Sequence, residues 1–160
     1  MSTTPTGRLA GLGLSLPDVP APVAAYVPAV RTGDLVHTSG QLPFTGGELP
    51  RTGKVGQGDG LVDPATAQQL ARTAALNALA AAASAAGGLD EVEAVVKVVV
   101  FVASDPAFTG QPAVANGASE LLGEVFGDAG RHARSAVGVA VLPLDSPVEV
   151  EVTVRVRAGA

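Results

Sequence analysis

The closing segment of the chain alternates strictly between apolar and polar residues. In VEVEVTVRV, residues 148–156, every second residue is a valine, and the residues between are glutamate, threonine or arginine. Side chains of a strand point alternately to its two faces, so the segment predicts a strand with one buried face. The preceding RSAVGVAVL, residues 134–142, is small or apolar on both parities after Arg134, which predicts a strand covered on both sides.

Two long helices are predicted between the strands. Asp63 can cap the first, Pro64 suits its first turn, and Gly87 and Gly88 end it after about 24 residues. A second helix runs from about Pro112 to Phe126, with an apolar stripe of Val114, Leu121, Leu122 and Val125.

The remaining segments complete the predicted order. A short helix is expected around Arg8–Leu14, and prolines at 17, 20 and 22 keep the chain extended after it. Strands are expected in AYVPAV and LVHTSGQL on either side of the turn RTGD, and in EAVVKVVVFVAS, residues 93–104. Residues 43–62 are rich in glycine, which predicts a surface loop.

This order, β-β-α-β-α-β-β, predicts an α+β domain with two helices packed on one face of a mainly antiparallel sheet. Residues 1–21 are interpreted as an N-terminal arm and residues 22–160 as a single domain. If the helices cover one face of the sheet, another subunit is the economical cover for the other face, so we expect a homo-oligomer.

Composition narrows the function. The 160 residues include no cysteine, which removes thiol nucleophiles and disulfides. A net charge of -5 and 3% aromatic residues argue against a nucleic-acid partner. No apolar run is long enough to span a bilayer and no secretory signal is evident, so we expect a soluble, cytoplasmic protein without a membrane partner.

Arg134 and Glu149 are the first candidates for chemistry. If the strands at 134–142 and 148–156 pair, the two side chains meet at one end of the sheet. They are then a structural ion pair, or Arg134 binds a substrate carboxylate while Glu149 handles a proton or a water. Spacing alone leaves both interpretations open.

Other motifs give weaker signals. The Ser39-Gly40 pair in HTSGQLP suits either a bulge or a ligand contact, and it lacks the GxSxG pattern of a serine hydrolase. His37 and His132, the only histidines, have no partners at metal-ligand spacing. The glycines of TGKVGQGDG miss the phosphate-binding loop pattern, so we predict neither a metal nor a nucleotide.

The ordered blocks YVPAVRTGDLVHTSGQLP, VVKVVVFVAS, NGASELLGEVFG and HARSAVGVAVLPLDSPVEVEV resemble the RidA (YjgF) family of imine deaminases over roughly residues 22–157. The resemblance implies a chorismate-mutase-like fold and a homotrimer whose sheets form a central barrel, with sites in the clefts between subunits. It also implies hydrolysis of reactive 2-imino acids, released by pyridoxal-phosphate enzymes, to 2-oxo acids and ammonia without a cofactor.

The resemblance assigns roles to individual residues. The arginine of the family's ARS motif, which binds the substrate carboxylate, falls on Arg134, and the glutamate that positions the attacking water falls on Glu149, helped by a backbone carbonyl near Ala136. The TSGQ motif places ligand contacts on Ser39 and Gly40. The family's tyrosine matches Tyr26, and its helix asparagine matches Asn116.

Three departures separate this chain from compact members of the family. Ala136 stands where many have cysteine, His132 replaces a common proline beside an added Arg131, and both the arm and the 43–62 loop are longer. The alternative to an imine or enamine hydrolase is a noncatalytic protein that binds small carboxylates in the same cleft. Ribonuclease, a function in the family's older naming, is disfavoured by the acidic charge and the few aromatic residues.

Overall fold

The structure is a computed structural model that describes residues 3–21 and 25–159. Its elements are α1 (Pro5–Gly11), β1 (Ala29–Thr32), β2 (Leu35–Thr38), α2 (Pro64–Ala86), β3 (Val92–Ala103), α3 (Gln111–Phe126), β4 (Ala133–Val139) and β5 (Val148–Val156). From β1 onward the predicted order β-β-α-β-α-β-β is confirmed. The predicted start of the domain at residue 22, and the proline there, lie outside the described residues.

The five strands form one sheet in the order β1-β2-β5-β3-β4. Three of its four pairings are antiparallel, and only β3 and β4 run parallel, so the predicted mainly antiparallel sheet is confirmed. The expected pairing of β4 with β5 is wrong, because β3 lies between them. β3 pairs with β5 over residues 92–102 and with β4 over residues 97–103, which leaves β4 at the rim of the sheet.

The predicted limits of α2 hold closely because its end signals are local. The Oδ1 atom of Asp63 accepts the backbone N–H of Thr66 at 2.9 Å, and hydrogen bonds from Thr66 hold the pKa of the Asp63 carboxyl below its usual value. At the other end Gly87 adopts φ 90°, a left-handed conformation in which glycine has no Cβ clash.

The core lies between the helices and one face of the sheet. The five valines of β5 are all buried there, as the alternation predicts, and so is the α3 stripe of Val114, Leu121, Leu122 and Val125. The two long helices touch backbone to backbone at Gly117, where a Cβ would overlap the carbonyl oxygen of Gln68. This backbone contact sets the position of α3 along the axis of α2.

The short helix α1 begins at Pro5, three residues before the predicted start. The Thr4 hydroxyl caps it by accepting the N–H of Gly7 at 3.2 Å, and the N–H of Thr6 donates to Asp90 Oδ1 at 2.8 Å. Leu9 is buried in the same core cluster as the valines of the sheet. The N-terminal segment therefore packs on the end of the domain near α3.

The loop at residues 43–62 is irregular, as predicted, but its middle is anchored. Val55 is fully buried, its N–H donates to the carbonyl of Ala103 at 2.7 Å, and its own carbonyl accepts the N–H of Asp105 at 2.9 Å. Val62 is also buried and pairs with Val55. The loop is thus tied to the end of β3 at one residue.

The face of the sheet turned away from the helices is partly apolar. Val30 and Val137 expose 51% and 43% of their surface there, among half-buried Lys97, Glu149 and Glu151. Among the helices of the described residues, none has both the length and the apolar character that crossing a membrane requires.

Candidate functional site

Arg134 and Glu149 lie on opposite faces of the sheet. Arg134 is the β-partner of Val98, which is buried under the helices, so its side chain emerges on the helix face. Glu149 alternates with the buried Val148 and Val150 and therefore points to the open face. The expectation that one chain brings the two side chains together is wrong, and no ion pair joins them in the described residues.

The guanidinium of Arg134 is held by α3. Its Nη1 atom donates to Asn116 Oδ1 at 2.9 Å and to Ser119 Oγ at 3.1 Å, and its Nη2 atom donates to the carbonyl of Pro112 at 3.3 Å. Both Nη1 protons are therefore used by the protein. The Nε proton and one Nη2 proton have no acceptor among residues 3–21 and 25–159, which leaves two N–H donors available to an anion.

Helix geometry explains why α3 can hold Arg134. Asn116 and Ser119 are three residues apart, a spacing that places both side chains on one face of a helix. Gly117, between them, is the residue that packs directly on α2. The two side chains that accept from Arg134 Nη1 are thereby tied to the core.

Behind Arg134, Ser119 is bonded in turn to His132. The Oγ atom of Ser119 lies 2.9 Å from His132 Nε2, and His132 Nδ1 lies 2.6 Å from the carbonyl oxygen of Gly130. These groups line a shallow open groove of about 350 Å³ beside Arg131, which forms an exposed 3.5 Å ion pair with Asp128. Two arginines, Arg131 and Arg134, line the groove, which favours an anionic ligand.

Glu149 forms the centre of a second group of candidate residues. Its carboxylate is half-buried and accepts no hydrogen bond from the described part of the chain. Burial raises the pKa of the Glu149 carboxyl, and the nearby charge of Glu151 adds to the increase. The carboxylate packs on Gly40, where a Cβ would overlap Glu149 Oε1.

Ser39 and Tyr26 lie at the open end of the β1-β2 hairpin, close in the chain to Gly40. The hydroxyl of Ser39 donates to the carbonyl of Val27 at 2.7 Å, so only its lone pairs remain for a ligand. Tyr26, the residue before Val27, exposes 61% of its surface. The hydrogen bond from Ser39 to Val27 thus holds the segment that contains Tyr26.

Ala136 belongs with the Arg134 group. It lies two residues further along β4 and pairs with Val100, so it shares the helix face of the sheet. Because β4 is a rim strand, the backbone groups along its outer edge have no strand partner in the described residues. The structure therefore divides the seven predicted site residues into one set of Arg134, Asn116 and Ala136 and another of Tyr26, Ser39, Gly40 and Glu149.

The contacts of Ser119 and His132 with the site were not predicted. One signal was present in the sequence, because Ser119 follows Asn116 at a same-face helical spacing. The bond between Ser119 and His132 depends on how the turn at Gly127–Gly130 returns the chain to β4, and no local pattern encodes that path.

Comparison with known proteins places these features in a family context. A family model described as "YjgF/chorismate_mutase-like, putative endoribonuclease" matches residues 6–155. Protein TCP17 of Trypanosoma cruzi is 44% identical to this chain, over 98% of this chain and 99% of its own length.

Solved structures are also similar. The protein Atu1372 of Agrobacterium tumefaciens, of unknown function, is 43% identical, with a TM-score of 0.86 over 97% of this chain and 94% of that one. The Escherichia coli protein TdcF, solved with bound serine, is 30% identical, with a TM-score of 0.62 over 88% of this chain and 94% of that one.

Proposed function

The chain belongs to the YjgF/chorismate mutase-like family, and we propose that it hydrolyses 2-imino acids to 2-oxo acids and ammonia without a cofactor. The observation that carries the proposal is that Arg134 is held in place by α3 and still has two N–H donors with no acceptor among the described residues. A guanidinium with two donors to spare can bind a carboxylate.

The active site in this proposal is completed by two copies of the chain. Arg134 and Glu149 act on one substrate, yet the sheet separates them within a chain. A neighbouring copy that brings its open face or hairpin end to the groove beside Arg134 supplies the missing carboxylate. The homotrimer implied by the resemblance to RidA proteins, with its sites between subunits, meets this requirement.

The chemistry follows from the two sets of residues. Arg134 of one copy binds the substrate carboxylate and orients the C=N carbon toward a water held by Glu149 of another copy. The water oxygen adds to that carbon while its proton passes to the Glu149 carboxylate. The proton is then returned to the nitrogen, which gives a carbinolamine. The Glu149 carboxylate next carries the proton of the new hydroxyl group to the nitrogen. The C–N bond breaks as the C=O bond forms, so that ammonia leaves and a 2-oxo acid remains. Imines of this kind already hydrolyse in water, so positioning supplies much of the catalysis.

The environment of Glu149 suits a proton acceptor. Burial and the charge of Glu151 raise the pKa of its carboxyl, which makes the ionised form a stronger base than an exposed glutamate. No hydrogen bond from the described residues ties up its oxygens, so a water can bind there. Ser39 and Tyr26 complete the polar wall of the cleft in this proposal.

The alternative function is a noncatalytic protein that binds small carboxylates. The solved TdcF structure contains serine, a small amino acid with a free carboxylate, which supports a ligand of this size in either case. Both functions require Arg134, whereas only the enzyme requires Glu149 for turnover. Ribonuclease activity, named in the family description, receives no support from a net charge of -5.

The first experiment generates 2-iminopropanoate and 2-iminobutanoate in place and traps whatever remains unhydrolysed. We expect the wild type to accelerate hydrolysis, Arg134→Ala to abolish the acceleration, and Arg157→Gln, which removes an exposed charge outside the groove, to keep it. Failure of the wild type with every short imino acid tried would contradict the enzyme. Retained acceleration by Arg134→Ala would contradict the role of Arg134.

Glu149→Gln separates the two candidate functions. We expect it to remove turnover while the dissociation constant of 2-oxobutanoate, measured by calorimetry, stays within a few-fold of wild type. Binding of 2-oxobutanoate by a wild type that hydrolyses no imine would favour the carboxylate-binding alternative.

A further inference from the structure

Three hydrogen bonds connect Arg134 to the backbone of Gly130 through two side chains. They join Arg134 to Ser119, Ser119 to His132, and His132 to the Gly130 carbonyl. We propose that His132, acting through Ser119, is a positioning residue that fixes the guanidinium of Arg134 for carboxylate binding. The inference rests on the proposed role of Arg134 and adds two residues to it.

The direction of each bond follows from the donors available. A carbonyl oxygen only accepts, so His132 Nδ1 carries a proton and donates it to Gly130. In the neutral ring Nε2 then has a lone pair and accepts the hydroxyl proton of Ser119. Because its single hydroxyl proton is donated to His132, Ser119 Oγ has only lone pairs left. It accepts a hydrogen bond from Arg134 Nη1 at 3.1 Å.

The far end of the chain of bonds is rigid. Gly130 is buried and packs backbone to backbone on α3, where a Cβ would overlap the carbonyl oxygen of Leu122 and lie 3.1 Å from the α-carbon of Gly123. The carbonyl that orients His132 is therefore attached to the same helix that carries Asn116 and Ser119. The two acceptors of Arg134 Nη1, Asn116 and Ser119, therefore belong to the same helix, α3, that also holds the Gly130 carbonyl in place.

Removing the imidazole frees the Ser119 hydroxyl to rotate. Its proton then has no fixed acceptor, so the direction of the lone pair that accepts from Arg134 Nη1 is no longer fixed. A guanidinium whose hydrogen-bond acceptor is less well ordered samples more orientations. Its free N–H donors then point at the substrate carboxylate for a smaller fraction of the time. The loss is expected in substrate binding, with the chemistry at Glu149 left intact.

The test measures the dissociation constant of 2-oxobutanoate by calorimetry, together with KM and kcat for 2-iminobutanoate. We expect His132→Phe and Ser119→Ala each to weaken 2-oxobutanoate binding about tenfold, and the double variant to lose no more than either single one. Ser119→Thr, which keeps the hydroxyl, should bind within about twofold of wild type. The control Arg157→Gln, at an exposed arginine just beyond β5, should do the same. The expected kinetic effect is a raised KM with kcat nearly unchanged.

Unchanged binding by His132→Phe, or additive losses in the double variant, would overturn the inference. If His132→Phe does not fold, the ring nitrogen shifts of His132 in the wild type give a second test by ¹⁵N NMR. A proton on Nδ1 is expected in the neutral ring, and a proton on Nε2 would overturn the inference.

The same data distinguish this inference from the proposed function. A wild type that hydrolyses no imine, yet binds 2-oxobutanoate in a way that depends on Arg134 and His132, contradicts the function and supports the positioning role. A wild type that hydrolyses imines with a KM insensitive to His132→Phe supports the function and overturns the positioning role.

Discussion

The carboxylate of Glu149 occupies the space that a side chain at residue 40 would need. A Cβ built on Gly40 would overlap Glu149 Oε1 and lie 2.9 Å from its Cγ. Because residue 40 has no side chain, the Glu149 carboxylate can pack directly against the backbone next to Ser39. The glycine of the predicted TSGQ motif acts here by leaving room for the glutamate.

Gly40→Ala should remove turnover with little loss of stability. The new methyl group displaces the end of a flexible side chain and leaves backbone packing intact. We expect imine hydrolysis to fall about 100-fold or more, as when a catalytic group is misplaced by about 1 Å, with Tm within about 2 °C of wild type. Gly11→Ala, at an unobstructed position, is the matched control for both measurements. Full activity in Gly40→Ala would show that Glu149 can work from another position.

Glu149→Gln should stabilise the protein at neutral pH. The pKa of Glu149 is raised from 4.5, so the folded chain holds this proton more tightly than the unfolded chain. Ionising the carboxyl therefore lowers the free energy of unfolding. The loss is absent at pH values below the pKa in the unfolded chain and complete at pH values above the raised pKa in the folded chain. We expect a higher Tm for the variant at pH 7 and no difference near pH 3. A lower Tm for the variant at pH 7 would show that the ionised carboxylate stabilises the folded protein and would contradict this prediction.

Two inactive variants should restore each other's activity when mixed. If the site is completed by two copies, random assembly of equal amounts of Arg134→Ala and Glu149→Gln leaves about a quarter of the sites with both native residues. Refolding the two chains together and measuring imine hydrolysis checks this, and the chains refolded separately and then combined serve as the control. No recovery in the co-refolded sample would contradict a shared site.

Gly117→Ala should destabilise the protein, and Gly123→Ala in the same helix should not. The first methyl group would run into the Gln68 carbonyl of α2, a backbone contact that cannot move alone, whereas the second enters open space. We expect a loss of about 1–3 kcal/mol for Gly117→Ala and a gain of up to about 1 kcal/mol for Gly123→Ala in chemical denaturation. Equal effects would mean that α3 shifts freely against α2.

Val55→Ala tests whether the 43–62 loop is held from its middle. The buried side chain loses two methyl groups, which corresponds to about 2 kcal/mol of unfolding free energy including the cavity. We also expect faster hydrogen exchange at Val55 and Asp105, whose N–H groups pair the loop with β3. Val27→Ala, at a residue that is 47% exposed, controls for loss of the same side chain elsewhere.

Local patterns in the sequence accounted for most of the fold. The alternation of β5, the cap at Asp63 and the stop at Gly87 each depend on residues within a few positions of each other, and each was placed within one or two residues. The membership of a family and its fold also followed from ordered blocks along the chain. These features required no knowledge of which strands are neighbours.

Local sequence patterns could not predict the position of β4 in the sheet. A strand that is small and apolar on both parities fits the centre of a sheet or a rim that a partner covers, and the chain alone does not distinguish them. The wrong pairing placed Arg134 beside Glu149, whereas the true order puts β3 between them. The contact of Arg134 with Ser119 was missed because it requires β4 to lie next to α3, and the contact of Ser119 with His132 because it depends on the turn at Gly127–Gly130.

The anchor at Val55 divides one long connection into two short ones. Chain-closure entropy grows with the length of each free segment, and a fixed point midway lets either segment lengthen without loosening the other. Insertions near Gly46–Gly47 or near Gly58–Gly60 should therefore be tolerated independently, while the residues around 55 keep their length. A protein engineer can diversify the surface on each side of this anchor as a separate library.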